Sequence, residues 1–234
     1  MINGLQDLQL QDVITAIGGL GTAAFGLVDA AKSAFSSINR IGLDHIKQVV
    51  SDLTPEGASA GGLVNALPQS NILQTLQANW VNGADLTSQK AIAKSLIKLH
   101  LSADNAAAVA LKTSVDPAVL GTVAANIAKS EPLSQAEGDA YSRFDLIVTA
   151  LLDEAYQHSD QVYRNGTRTL AAIVAVALAL AGGWSLVGTY NFWHSSDPVL
   201  ALLVGLLATP LAPIAKDLTS ALATAVNTMQ LVKK

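Results

Sequence analysis

The sequence contains no cysteine, which excludes disulfide bonds, thiolate metal sites and a cysteine nucleophile. Charged residues make up only 14% of the chain, whereas soluble domains carry about a quarter. Aromatic residues are also scarce, at 5%, although half of all residues are hydrophobic. The apolar excess is therefore aliphatic, and it indicates a chain for which lipid is part of the solvent. The net charge of −4 gives no electrostatic basis for a nucleic-acid partner.

Two long segments lack Asp, Glu, Lys and Arg altogether. They are residues 169–196 and residues 198–215, and they are separated only by Asp197. A helix needs about 20 apolar residues to cross the hydrocarbon core of a bilayer. The sequence therefore predicts a transmembrane helical hairpin. A shorter, glycine-rich segment without charge, residues 13–28, has four open interpretations: a spanning helix, a re-entrant segment, an interfacial helix or a helix buried against the other two.

The positions of Lys and Arg predict the orientation of the hairpin. Arg164 and Arg168 precede it, whereas the connecting loop, 191–198, contains neither Lys nor Arg. Because basic residues accumulate on the cytoplasmic side, the loop is expected outside and both the middle region and the C-terminal residues in the cytoplasm. Lys32 and Arg40 fit the same topology if the N-terminal segment also spans. The expected location is the inner membrane of a bacterial cell, with lipid as the first partner.

Turn and capping residues divide the more polar middle of the chain into helices. Asp116 and Pro117 are typical of an N-cap followed by a first helical position. Ser134 and Glu137 form a capping box, which predicts a long stalk helix leading into the hairpin, with a joint at Asn165-Gly166. The expected helices before it cover residues 44–53, 70–80, 87–101 and 103–112.

The fold predicted from these patterns is an all-α integral membrane protein. Its expected regions are an N-terminal membrane-associated or spanning helix, a helical cytoplasmic region, a transmembrane hairpin and an amphipathic C-terminal helix, in residues 1–35, 36–167, 168–215 and 216–234, respectively.

Small residues recur every four positions in the three apolar segments. Such rows allow helix backbones to approach closely, which drives helix association in lipid. We therefore expect these rows to mediate packing within the chain and association between copies of it. The predicted packing residues are Gly18, Thr22 and Gly26 in the first segment, Ala171, Ala175, Ala179 and Gly183 in the second, and Ala201, Gly205 and Thr209 in the third.

A second reading of the apolar segments is a pore. Prolines inside a spanning helix remove backbone donors and bend it, and such bends occur at transporter gates as well as at simple kinks. Charged residues at the ends of the segments have two interpretations, a pore mouth or interfacial anchoring. The candidate pore or gate residues are Asp29, Thr209, Pro210, Pro213, Lys216 and Asp217.

Signals for catalysis are weak. Asp153, Glu154 and His158 lie within two helical turns, but di-iron helices need Glu-x-x-His from two helices, so a solvated helix face is the favoured interpretation. Residues 106–129 have the outline of a helix-turn-helix but offer few basic side chains. No catalytic, cofactor or metal-binding residue is predicted.

The leading prediction is a non-enzymatic membrane protein that self-associates and presents a helical cytoplasmic region for assembly or for a protein partner. The alternatives are an oligomeric channel with its mouth near Lys216 and Asp217 and, less favoured, a membrane-bound metal-dependent enzyme.

Overall fold

The computed structural model describes residues 10–55 and 68–232, with side chains described for 13–55, 68–188 and 190–214. Within these ranges the chain forms α-helices and no strand, which confirms the all-α prediction. The helices are α1 (Leu10–Ala34), α2 (Ser36–Asn39), α3 (Leu43–Leu53), α4 (Gln69–Val81), α5 (Leu86–His100), α6 (Ala106–Thr113), α7 (Pro117–Lys129), α8 (Gln135–Val187), α9 (Thr189–Trp193) and α10 (Asp197–Val232).

The chain divides into two compact units. The central unit is Asn39–Tyr163, and the three-helix unit combines Met1–Ile38 with Arg164–Lys234. Helix α8 begins in the first and ends in the second, and it continues through Asn165 and Gly166. The helix is therefore not interrupted at the predicted joint, although the boundary between the two units, at residues 163 and 164, lies beside it. Asn and Gly each cost only up to about 1 kcal/mol in a helix relative to Ala, and the helical turns on both sides outweigh that cost.

The core of the central unit is built from one face of each of its helices. On α8 this face is fully buried at Phe144, Val148, Leu152, Ala155 and Tyr156, and the steps of four, four and three residues from Phe144 to Ala155 agree with the face that the sequence predicts. Buried aliphatic side chains from the other helices complete the core, among them Ile46, Val50, Ile72, Leu76, Ile97, Val109 and Leu120.

Both predicted capping motifs are present. The Asp116 carboxylate accepts hydrogen bonds from the backbone N–H groups of Ala118 and Val119, at 2.8 and 3.2 Å. The Ser134 N–H donates to the Glu137 carboxylate at 2.7 Å, and the Glu137 N–H donates to the Ser134 hydroxyl at 3.4 Å. The bond from the Ser134 backbone is the main reason why the pKa of Glu137 is lowered. These motifs fix the starts of α7 and α8.

Lysines on α5 pair with aspartates on α8. Lys94 and Lys98 donate to the two oxygens of Asp145, at 2.6 and 2.9 Å, and Lys90 donates to Asp153 at 2.5 Å. Burial opposes the charge on Asp145, but the two lysine hydrogen bonds outweigh it and hold the pKa of Asp145 below its usual value. Because the lysines are four residues apart, they share one face of α5 and fix its register on α8.

The three-helix unit contains helices that are long and apolar enough to cross a membrane. They are Val13–Ala34 in α1, the apolar part of α8 and Asp197–Ile214 in α10. This finding agrees with the predicted hairpin. It also shows that the N-terminal helix is long enough to span a membrane. It indicates a membrane protein.

Candidate functional site: the packing of three apolar helices

Three alanines mark the place where the apolar helices meet. Ala24 of α1, Ala175 of α8 and Ala208 of α10 are each 0% exposed and form one buried cluster. The partly buried side chains around this cluster are larger and aliphatic: Ile17, Leu20, Val174 and Leu178. Alanine methyl groups therefore lie at the centre of the cluster, and longer aliphatic side chains pack around it.

Helices α1 and α10 approach most closely at Gly21. A Cβ atom on Gly21 would overlap the carbonyl oxygen of Ala208 and lie 2.6 Å from its carbonyl carbon, and it would also come within 3.0 Å of the Ala212 Cβ. Two of these neighbours are backbone atoms, which cannot move by a rotamer change. The contact therefore requires glycine at position 21.

Helices α8 and α10 approach each other at Gly205. A Cβ atom there would overlap the Val176 Cα atom and lie 2.8 Å from the Val176 backbone nitrogen. Gly205 is buried, so this glycine lets the two arms of the hairpin pack backbone to backbone.

The remaining predicted packing residues lie in several different environments. Ala171 and Ala175 are fully buried, and Gly18 is buried as well. Thr22 and Gly26 are exposed, and Thr22 donates a hydrogen bond to the Gly18 carbonyl within its own helix. Partly buried positions are occupied by Ala179, Gly183, Ala201 and Thr209.

A row of residues four apart winds away from a straight contact face. With 3.6 residues per turn, each step of four turns the row by about 40°. The buried residues of α10 instead follow the spacing Gly205, Ala208, Ala212, and those of α1 the spacing Gly18, Gly21, Ala24, Val28. Alternating steps of three and four keep residues on one face. The sequence predictions did not include Gly21, Ala24, Ala208 or Ala212; this spacing places such residues on one face of each helix, but it does not tell which face is covered.

The opposite side of α1 carries a second row of small residues. Gly19, Ala23, Gly26 and Ala30 are all exposed and follow the spacing four, three, four. No described atom lies within 4 Å of a Cβ placed on Gly19 or on Gly26. We call this row the outer face of α1.

Near its end, α8 carries a glycine beside an aromatic side chain. Phe192 of α9 is fully buried, and a Cβ on Gly183 would lie 2.7 Å from its ring. Tyr190 and Trp193, on the same short helix, are largely exposed. The aromatic ring of Phe192 therefore packs on the end of α8, while its two aromatic neighbours lie at the surface.

The candidate gate residues do not converge in the described part of the chain. Pro210 and Pro213 lie inside α10 and are exposed, while Thr209 between the helices is partly buried. Asp29 pairs with Lys32 one turn away, at 2.8 Å. The side chains of Lys216 and Asp217 lie outside the described residues.

The side chains of the weak catalytic cluster each have another partner in the central unit. Asp153 binds Lys90, Glu154 pairs with His45 at 3.1 Å, and the His158 ring lies 4.5 Å from the His45 ring. Within the described residues, no group of three or more His, Asp or Glu side chains is arranged to hold a metal ion.

Large apolar side chains cover the outside of the three-helix unit. Leu206 and Leu207 of α10 are 50% and 51% exposed. Other exposed members of the same surface are Leu27, Ile173, Leu186, Val199, Leu200, Leu202, Leu203 and Ile214. A soluble monomer rarely exposes so continuous an apolar surface.

Comparison of the chain with known protein families, with characterised proteins and with solved structures finds no significant match. Function is therefore inferred from the residues and helices of this chain alone.

Proposed function

We propose that this chain is a non-enzymatic integral membrane protein that self-associates and presents its central unit on the cytoplasmic side for assembly or partner binding. The observation that carries the proposal is the distribution of side chains in the three-helix unit, in which small residues occupy the centre and large apolar residues the surface. Small residues such as Ala24, Ala175 and Ala208 are buried, while leucines are exposed. Lipid is the solvent in which such an arrangement is stable, because close backbone packing there replaces the hydrophobic drive toward a leucine core.

Self-association is supported by the outer face of α1. The packing within the chain already uses Gly21 and Gly205, so these glycines are not available to a second copy. Gly19 and Gly26 have open space beside them among the described residues, and their spacing suits a helix of another copy packing closely against α1. We therefore place the contact between copies on this face.

The cytoplasmic position of the central unit is supported by basic residues. Lys32 lies in the last turn of α1 and Arg40 follows that helix, and Arg164 and Arg168 precede the apolar part of α8, whereas the loop between α8 and α10 carries no Lys or Arg. This distribution follows the positive-inside rule. The central unit also exposes large apolar side chains, notably Leu99 and Leu111, which are available to a partner.

A conducting pore is the weaker alternative. Pro210 and Pro213 lie inside α10 and are exposed, so they face lipid rather than the packed centre of the three helices. The small polar side chain of Thr22 bonds to its own helix. These observations favour a kinked packing helix over a gate.

The proposal is tested with Gly26→Leu in the full chain, purified in mild detergent. We expect the wild-type protein to have the mass of an oligomer and the variant to shift toward the monomer, as measured by light scattering and by cross-linking in membranes. Gly182→Leu is the matched control, because Gly182 lies on α8 with equal open space beside it. A monomeric wild-type protein, or equal association of both variants, would contradict the role of the outer face of α1.

A further inference from the structure

The turn between α8 and α10 presents three aromatic side chains that the proposed function does not use. Tyr190, Trp193 and His194 are three and four positions apart, so they share one side of α9 and its C-terminal cap. All three are exposed, to 75% for Tyr190 and 56% for Trp193. The Phe192 ring is fully buried instead. We call the three exposed rings the aromatic face of α9.

Contacts within the turn hold these exposed rings in place. The Tyr190 ring stacks on the His194 ring with their centres 4.5 Å apart. The His194 Nδ1 atom lies 2.8 Å from the Tyr190 carbonyl oxygen, and because a carbonyl can only accept, Nδ1 is the donor. The Trp193 ring packs edge to face on the buried Phe192 ring at 5.2 Å. The rings therefore lose little side-chain entropy when another surface covers them.

The chemistry of the aromatic face suits the boundary between hydrocarbon and water. Each ring combines an apolar body with a polar edge, and Trp and Tyr rings are enriched at the headgroup level of membranes for this reason. The helices on either side expose aliphatic side chains, at Leu186 of α8 and Val199 of α10. The turn itself exposes Asn191, Ser195 and Ser196. The side chains thus change from aliphatic to amphipathic to polar in the order expected from the bilayer core to water.

The length of α8 places the aromatic face at the same boundary. From Arg168 to Val187 the helix carries no charged residue after the arginine, and it rises by about 28 Å at 1.5 Å per residue. The hydrocarbon core of a bilayer is about 30 Å thick. With Arg168 at one edge of the core, α9 begins at the other.

We propose that the aromatic face of α9 docks into the lipid headgroup layer on the side of the membrane opposite the central unit. The ring bodies contact the upper parts of the acyl chains, while the Tyr190 hydroxyl and the Trp193 indole N–H bond to headgroup oxygens and interfacial water. This inference rests on the proposed function, because it requires that α8 and α10 span the bilayer. It adds that α9 lies in the interface and does not project into water.

The test is fluorescence quenching of the full chain in phosphatidylcholine vesicles. The quenchers are two brominated phosphatidylcholines, one with bromine near the glycerol and one with bromine near the end of the acyl chain. Trp80→Phe and Trp184→Phe leave Trp193 as the single tryptophan, and the shallow bromine should quench it at least about twofold more strongly than the deep bromine. The matched control adds Trp193→Phe and Leu206→Trp, because Leu206 is half exposed near the middle of the apolar part of α10. In this control the order should reverse.

Trp193 that neither lipid quenches, together with deep quenching in the Leu206→Trp control, would overturn the inference and leave the proposed function intact. Stronger quenching of Trp193 by the deep bromine would also overturn it. If neither tryptophan is quenched, the chain is not inserted, and the proposed function fails as well. Circular dichroism establishes that each variant is folded. If Trp80→Phe does not fold, Trp193→Phe alone decides the question: it should remove shallow quenching from the wild-type signal, and unchanged quenching would overturn the inference.

Discussion

Gly205→Ala tests the close packing of α8 and α10 with the smallest possible change. The added Cβ atom would overlap the Val176 Cα atom and lie 2.8 Å from the Val176 backbone nitrogen, whereas ordinary contact begins at 3.4 Å, so the helices must separate by more than about 0.6 Å. Overpacking of this kind lowers the free energy of unfolding by about 1–3 kcal/mol. The higher helix propensity of alanine offsets up to about 1 kcal/mol of this loss. We expect a net loss of roughly 1–2 kcal/mol in the free energy of unfolding.

The measurement is reversible unfolding of the full chain in mixed detergent, followed by far-ultraviolet circular dichroism. Gly182→Ala is the matched control, because its Cβ meets no described atom within 4 Å, and it should be neutral or slightly stabilising. If Gly205→Ala and Gly182→Ala have the same stability, α8 and α10 do not pack at this glycine, and the close approach that we derive for the hairpin is refuted.

Three further substitutions test the central unit by the same unfolding assay. Asp145→Asn should lower stability by about 1–2 kcal/mol by breaking two lysine pairs. The pKa of Asp145 is lower in the folded protein than in the unfolded chain. The stability that Asp145 contributes is therefore fully present above about pH 4 and is lost as the pH falls through the folded pKa. If Asp145→Asn loses stability with acid as steeply as the wild-type protein, this prediction is contradicted. Gly42→Ala should destabilise by about 1–3 kcal/mol, since Gly42 has φ of 85° and its Cβ would overlap the Ser159 carbonyl oxygen; a neutral effect would rule out that contact. Tyr156→Phe should stabilise by about 1 kcal/mol, because the hydroxyl is buried without a partner among the described atoms, and a loss would show that the hydroxyl is satisfied.

Local signals predicted the helices of the central unit well. Asp116, Ser134 and Glu137 make the hydrogen bonds expected of caps, because a cap depends only on residues within one turn of it. The buried face of α8 follows for a similar reason, since its period is a property of the helix itself.

The same local signals could not predict contacts between helices that are distant in sequence. Nothing local to Lys94 and Lys98 identifies Asp145 as their shared partner, and the Phe192 ring on Gly183 depends on how the chain turns after α8. The row of small residues on α1 shows the limit clearly. Composition revealed that α1 has small residues, but only the position of α10 decides that Gly21 is covered while Gly26 is open.

The central claim is that α1, the apolar part of α8 and α10 cross a bilayer, with the loop at 194–196 on one side and the central unit on the other. The absence of cysteine allows this claim to be tested in intact cells with single-cysteine variants and a membrane-impermeant maleimide. Ser196→Cys, in the loop, should be labelled from outside, whereas Ser142→Cys, exposed on α8 in the central unit, should be labelled only after the cells are lysed. Equal labelling of both positions in intact cells, or recovery of the unlabelled chain in the soluble fraction without detergent, would contradict the claim.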